Sequence, residues 1–234
     1  MRLVKEEFEM KSTRLLRLAI GVFMLGVVGA PEAWAGGGAR FEVTVTNLTS
    51  GQVFTPILAA SHKRGVHLFM AGQPASTELE QLAEGGDVTP LSVALMGNPN
   101  VLDVTNSGAP LPPGHSTTVT VETSGRFTQI SLAAMLVPTN DGFFSLNGVE
   151  GPKGNKTLTL NVPAYDAGTE RNDELCASVP GPPSVCGGEG FNASREGAEG
   201  FVHIHAGIHG IGDLEAADHD WRNPVARISI RRVP

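Results

Sequence analysis

The chain has 234 residues, with 17 Lys and Arg against 24 Asp and Glu, for a formal net charge of −7. Its 29 glycines and 16 prolines fall short of the share that marks low-complexity disorder, and 41% hydrophobic residues suffice for a buried core. An acidic balance without a basic run excludes nucleic acid or an anionic membrane as the main partner, because both reward clustered Lys and Arg.

Lys11, Arg14 and Arg17 precede the apolar stretch Leu18–Ala30, and Ala33-Trp34-Ala35 follows with small residues suited to a cleavage site. This pattern predicts a secretory signal peptide over residues 1–35 and an extracytoplasmic, secreted or periplasmic destination. The apolar stretch is too short for a membrane span, which needs about 20 residues. A buried core helix or an uncleaved anchor is the competing reading. Glu6, Glu7 and Glu9 are atypical of a basic opening region, whereas translation from Met10 rather than Met1 would begin with Met-Lys-Ser-Thr-Arg. Cleavage would remove five basic and four acidic groups, leaving 12 against 20 and a net charge of −8. Cys176 and Cys186 then bracket a Pro-rich loop and read as one local disulfide in an oxidising compartment, two free thiols being the alternative.

Past the signal the pattern is one of strands and turns. Phe41, Val43 and Val45 alternate with polar residues, as a half-buried strand requires. Further strands are predicted over Val53–Ala60, Leu91–Met96, Thr117–Thr123, Gln129–Val137, Thr157–Val162, Phe201–Ala206 and Val225–Arg231. Turn signals such as Gly97-Asn-Pro-Asn100, Leu111-Pro-Pro-Gly114 and Glu150-Gly-Pro-Lys-Gly154 separate them. One helix is expected over Glu78–Glu84, capped by Ser76 or Thr77 and stopped by Gly85-Gly86. The fold class is therefore all-β, an antiparallel β-sandwich with one short helix, in a single domain over residues 39–234.

Two segments are dense in oxygen donors: Val137-Pro-Thr-Asn-Asp141 and Pro163-Ala-Tyr165-Asp166-Ala-Gly-Thr169-Glu170. A hard cation such as Ca²⁺ takes six to eight oxygens from carboxylates, carbonyls and water. Asp166 and Glu170 stand four apart across a glycine, so one turn can present both carboxylates. Asp141 joins them if the two strand ends lie side by side. Acidic loops are also common as plain solvated turns.

At these residues the chain resembles the spondin domain of F-spondin and mindin. The stretches that carry the resemblance are Phe54-Thr-Pro-Ile-Leu-Ala-Ala-Ser-His62, Ala75-Ser-Thr-Glu-Leu-Glu-Gln-Leu-Ala-Glu84, Leu136-Val-Pro-Thr-Asn-Asp141 and Tyr165-Asp-Ala-Gly-Thr-Glu170. They occur in the family's order and span most of residues 41–234. The resemblance implies a C2-like β-sandwich of extracellular matrix and adhesion proteins, non-enzymatic, whose partner is an extracellular protein or a matrix or cell-surface component. It also implies a calcium ion held by loop carboxylates, matched here by Asp141, Asp166 and Glu170. Glu170 departs from the family's usual Asp by one methylene, and Gly142 stands where those proteins carry an aromatic.

A second constellation competes. Four of the seven histidines fall in Val202-His203-Ile-His205-Ala-Gly-Ile-His209 and Ala217-Asp-His219-Asp. On a strand His203 and His205 face the same way, about 6.5–7 Å apart, and two imidazoles so placed suit Zn²⁺ or Cu²⁺. His209, His219, His62 or an Asp would complete the set in a His-ligated metal protein, even a redox enzyme. The bland alternative has both rings donating to backbone carbonyls. No nucleophile elbow, phosphate loop or Ser or Cys with an evident base is present.

Overall fold

The computed structural model describes residues 38–234; the export signal expected over residues 1–35 lies outside the described residues. In chain order the elements are β1 (Ala39–Asn47), β2 (Val53–Phe54), β3 (Leu58–His62), α1 (Thr77–Gly85), α2 (Thr89–Met96), β4 (Val101–Asn106), β5 (Ser116–Thr123), β6 (Gln129–Val137), β7 (Gly142–Glu150), β8 (Thr157–Val162), β9 (Ala164–Asp166), β10 (His203–Ile204), α3 (Ala216–His219) and β11 (Ala226–Val233). One sheet runs β5-β1-β11-β8, and the other runs β10-β9-β7-β6-β3-β4 with β2 added against β6. Pairing between the strands is antiparallel.

The smaller sheet is half-buried, as its alternation predicts. Phe41, Val43 and Val45 of β1 point into the sandwich with Val119, Val121, Ile228 and Ile230. Its outer face is a polar ladder. Thr44 bonds Thr118 at 2.8 Å, Thr46 bonds Ser116 at 2.8 Å, and Arg231 pairs with Glu42. The larger sheet is covered on both sides. Ile130, Leu132, Ala134 and Leu136 of β6 enter the inter-sheet core, whereas Ala133, with Leu58, Ala60 and Phe143, packs beneath Leu79, Leu82, Ala83, Leu91 and Leu95 of α1 and α2. All nine β6 residues are buried. A strand covered on two faces reads as a near-continuous apolar run, which is how Gln129–Val137 reads apart from Gln129 and Ser131.

Several expectations are corrected. Leu91–Met96 is helix rather than strand. Pro90 sits in its first turn, and the helix buries Leu91 and Leu95, four apart, against the sheet. A run of Leu, Val, Ala and Met this short has no periodicity that separates the two structures. Val53–Ala60 is broken at Thr55-Pro56-Ile57 into β2 and β3, because Pro56 has no N–H to donate. The expected strand over Phe201–Ala206 shrinks to two residues, and β4, β7, β9, α2 and α3 are additions to the predicted set. The helix α1 follows expectation: Ser76 Oγ accepts from Leu79 N at 3.3 Å, and Gly86, at φ 68°, ends it.

Cys176 and Cys186 form the disulfide, with Cys186 buried in the inter-sheet core. Asp213 Oδ2 accepts from Cys176 N at 2.9 Å, so the Pro-rich loop is tied to a second loop. Intact mass should rise by about two daltons on reduction. The reduced protein should be about 2–3 kcal/mol less stable in denaturant titrations, from the loop-closure entropy restored to the unfolded chain. Phe54, fully buried with its ring 4.5 Å from that of Phe144, joins the inter-sheet core. Phe54→Ala should therefore cost about 3–5 kcal/mol of unfolding free energy.

Candidate metal centre

The β6–β7 hairpin carries Asp141 in its turn. Thr139 closes that turn, its hydroxyl donating to Leu136 O at 2.6 Å and accepting from Gly142 N at 3.0 Å. Strand β9 pairs with β7 in the register Gly142↔Asp166, so Asp141 and Asp166 come from adjacent strand ends. The segment after β9 folds back over Asp141. Asp141 Oδ2 accepts from Thr169 N at 2.7 Å, Thr169 Oγ1 at 3.3 Å and Glu170 N at 3.1 Å. Asp166 Oδ1 accepts from Gly168 N at 2.8 Å, and its Oδ2 from Asn172 Nδ2 at 2.7 Å.

Gly168 explains the Asp-Ala-Gly-Thr run. Its φ is +66°, and a Cβ there would lie 2.3 Å from Phe201 O. Only glycine lets the turn pass beneath the 200–202 segment and bring Thr169 and Glu170 onto Asp141.

A fourth carboxylate joins from the helical layer. Glu84, in the last turn of α1, is fully buried, and its Oε2 accepts from Asn192 N at 2.9 Å. Sequence reasoning missed Glu84 because it assigned that helix only an apolar face. A signal was there: Glu80 and Glu84 are like charges four apart, and Glu84 opposes the helix dipole. Glu80 is answered by Arg195 at 2.5 Å, whereas no ion pair reaches Glu84 among the described residues.

The electrostatics are those of a site short of positive charge. Asp141, Asp166, Glu170 and Glu84 are nearly or wholly buried. Burial pushes Glu170 up to about 9, with Glu84 and Asp141 adding repulsion, and pushes Glu84 up to about 7. Asp141 and Asp166 are raised as well, first by burial; the Asp166 charge adds to the effect on Asp141, and that of Glu199 to the effect on Asp166. Three buried oxygens have no hydrogen-bond partner: Asp141 Oδ1, Glu170 Oε2 and Glu84 Oε1. Buried acceptors are ordinarily satisfied, so three unpartnered oxygens among these carboxylates set them apart from Glu80 and Glu174.

Buried Glu174 nearby is the contrast. Its oxygens accept from His209 N at 2.6 Å and Ile211 N at 2.9 Å, and its own N–H donates to Asn140 Oδ1 at 3.2 Å. Its φ of +56° is the one left-handed value outside glycine among the described residues. That carboxylate is spent on holding the 209–211 loop against the turn before Asp141.

The histidines are dispersed. His203 lies across β10 from Asp166, with its Nδ1 3.6 Å from Asp166 Oδ1 and 3.2 Å from Phe201 O. His205 is buried against Trp221, with ring centroids 4.9 Å apart, and burial lowers it to about 4. Its Nδ1 accepts from Gly207 N at 3.0 Å, and its Nε2 has no partner. A neutral imidazole has one nitrogen lone pair, and Gly207 takes that of His205. His62 pairs across from Gln129 at the start of β6, eight residues from the Val137 end and thus roughly 26 Å away along the strand. As the side chains are placed, no three His, Cys, Asp or Glu among the described residues form a ready-made metal cage.

A family model described as Spondin_N matches residues 46–178, more than half of the chain. The chain belongs to the spondin N-terminal domain family. The match takes in Glu84, Asp141, Asp166 and Glu170 and stops before His203 and His205, a shorter span than the resemblance read over most of residues 41–234. No curated protein matches the chain. The family is extracellular, in keeping with the disulfide, and no described helix is long and apolar enough to cross a membrane.

The raised carboxylates set a pH dependence for the spondin domain in chelator. A folded-state value above the ordinary one means that the folded protein keeps protons the unfolded chain has lost. The associated stability is therefore complete below about 4.5, the ordinary Glu value, and is lost as pH rises through about 7 for Glu84 and about 9 for Glu170. In EGTA the melting temperature should fall steadily from pH 5 to pH 9, read by calorimetry. Glu170→Gln should flatten the alkaline part of that slope.

Proposed function

We propose that this spondin-type interaction module binds Ca²⁺ through Asp141, Asp166 and Glu170, with Glu84 as a further oxygen donor, and serves in adhesion to an extracellular protein or a matrix or cell-surface component. The observation that carries this reading is the set of three buried, unpartnered carboxylate oxygens on Asp141, Glu170 and Glu84, none of which pairs with a Lys or Arg among the described residues. The donors are all oxygen, which suits a hard cation and disfavours Zn²⁺ or Cu²⁺. Bound there, Ca²⁺ would supply the positive charge that the burial of four carboxylates lacks.

The chain's own residues do the rest. Thr169 and Glu170 backbone N–H groups hold one oxygen of Asp141 and leave the other free. Gly168 and Asn172 fix the rotamer of Asp166. Glu170 and Glu84 are the longer, adjustable arms, and ligation requires them to turn their carboxylates inward. The ligands come from the β6–β7 turn, the end of β9, the turn after it and α1, so ligation joins four segments. A partner would then meet a fixed loop surface in place of a mutually repelling one. This function needs no catalytic residue.

The His-ligated alternative rests on the orphan Nε2 of His205. It is the weaker reading, since Gly207 occupies the ring's lone pair and His203 faces Asp166.

Added Ca²⁺ should raise the melting temperature and EGTA should reverse it, with about 2.7 kcal/mol gained at 100 times the dissociation constant. Asp166→Asn should remove most of that shift, and Ca²⁺ should also abolish the fall in stability between pH 5 and pH 9. Absence of any shift at millimolar Ca²⁺ would reject the proposal. For the alternative, His203→Ala with His205→Ala should leave the calcium response intact, and elemental analysis should find no stoichiometric Zn²⁺ or Cu²⁺ in the parent protein.

A further inference from the structure

The pole of the sandwich opposite the carboxylates carries a different surface. There the end of β3 meets the start of β6 at His62↔Gln129, and the start of β6 meets the end of β7 at Gln129↔Glu150. The start of β1 meets the end of β5 at Ala39↔Thr123 and the end of β11 at Arg40↔Val233. Between these strand ends lie two open depressions that adjoin at Thr128 and Glu150, which line both, and together they are referred to as the groove. Lys63 and Arg64 follow β3, Arg126 lies in the β5–β6 turn, Lys153 in the β7–β8 loop, and Arg232 near the end of β11; all five line the groove.

Glu150 is the single carboxylate among the lining residues, and Arg64 pairs with it at 2.5 Å while remaining largely exposed. The groove is therefore net +4, on a chain whose residues 36–234 sum to −8. Among the described residues no ion pair involves Arg126, Lys153 or Arg232. Lys63 is steered, with Nζ donating to Asn100 Oδ1 at 3.1 Å and lying 4.8 Å from the Phe127 ring centroid. On an acidic protein, unneutralised cations gathered in a groove favour a ligand with repeated negative charge, since a lone anion meets one or two of them and a polymer meets all.

We propose that this groove binds a polyanionic polysaccharide, sulfated or carboxylated, at the pole opposite the calcium-type centre. A glycan is the polyanion that fits an extracellular family, and an open groove admits a chain along its length. The site shares no residue with the carboxylate centre, so the two readings stand or fall separately.

The test is fluorescence anisotropy with a size-defined, labelled heparin oligosaccharide and the complete protein in EGTA. Binding is expected at 50 mM NaCl. With about four charges neutralised, affinity should drop on the order of 100-fold by 200 mM, from the release of condensed counterions. Arg126→Glu with Lys153→Glu should weaken binding at least tenfold and shallow the salt dependence, at unchanged melting temperature because both residues are exposed. Arg222→Glu, outside the groove, should leave it unchanged. The proposal is overturned if heparin fails to bind at 50 mM NaCl, if the double variant binds like the parent, or if neutral dextran binds equally well. Tighter binding of a DNA duplex than of heparin, or binding that needs Ca²⁺ and vanishes in Asp166→Asn, would overturn it as well.

Discussion

The structure depends on β6 being buried on both faces. One face of this strand completes the inter-sheet core with Ile130, Leu132 and Leu136, and the other lies under the helical layer. A strand so covered cannot slip by one residue without exchanging two different packing surfaces, so its register against β3 and β7 is fixed. That register sets the turn at its end, and with it Asp141. The same constraint brings Glu84 from the helical layer down onto the sheet ends. The carboxylate centre is thus a by-product of three-layer packing at one pole.

Charge is distributed with the same economy. At the β6–β7 turn four carboxylates are withdrawn from water with no Lys or Arg paired to them among the described residues, an arrangement that destabilises the fold unless a cation or protons intervene. Glu80 and Glu174, equally buried, show how the chain satisfies a carboxylate when it means to: one with a guanidinium, the other with backbone N–H groups. The contrast separates structural acids from those left open. At the opposite pole of the sandwich the strand ends and the turns beside them gather Lys63, Arg64, Arg126, Lys153 and Arg232. An extended polyanion and a divalent cation would therefore seek opposite ends.

Much of this was legible in the chain. The alternation of Phe41, Val43 and Val45, the apolar run of β6 and the capped helix after Ser76 each came from a local rule that packing then respected. The Asp-Ala-Gly-Thr run was legible for a similar reason: a glycine at positive φ between two acids is a local turn signal. The misreadings fall where local signals are degenerate. Leu91–Met96 has too few residues to distinguish a period of 3.6 from a period of 2, and its helical state is decided by the sheet beneath it. Strand β9 is three residues long and owes its existence to pairing with β7. Glu84 was passed over because its helix was read for its apolar face alone; the like charge four residues away at Glu80 is a local signal, but the cover supplied by the 190s loop is not.

The sequence by itself pointed to the all-β class through its chain-wide pattern of strands and turns, and to the Cys176–Cys186 pair through local spacing. It pointed to Asp166 and Glu170 as candidate ligands through their spacing across a glycine, whereas Asp141 joined them through the resemblance to the spondin domain. Only the tertiary structure decided which charges stand together. It separated His62 from His205 by most of the length of a strand, gave the lone pair of His205 to Gly207, and drew Glu84 into the acidic centre. It also built a basic groove from Lys63, Arg64, Arg126, Lys153 and Arg232, on a chain with no basic run of its own. The physical reason is that antiparallel pairing brings together strand ends far apart in sequence, and Coulomb interactions depend on distance in space.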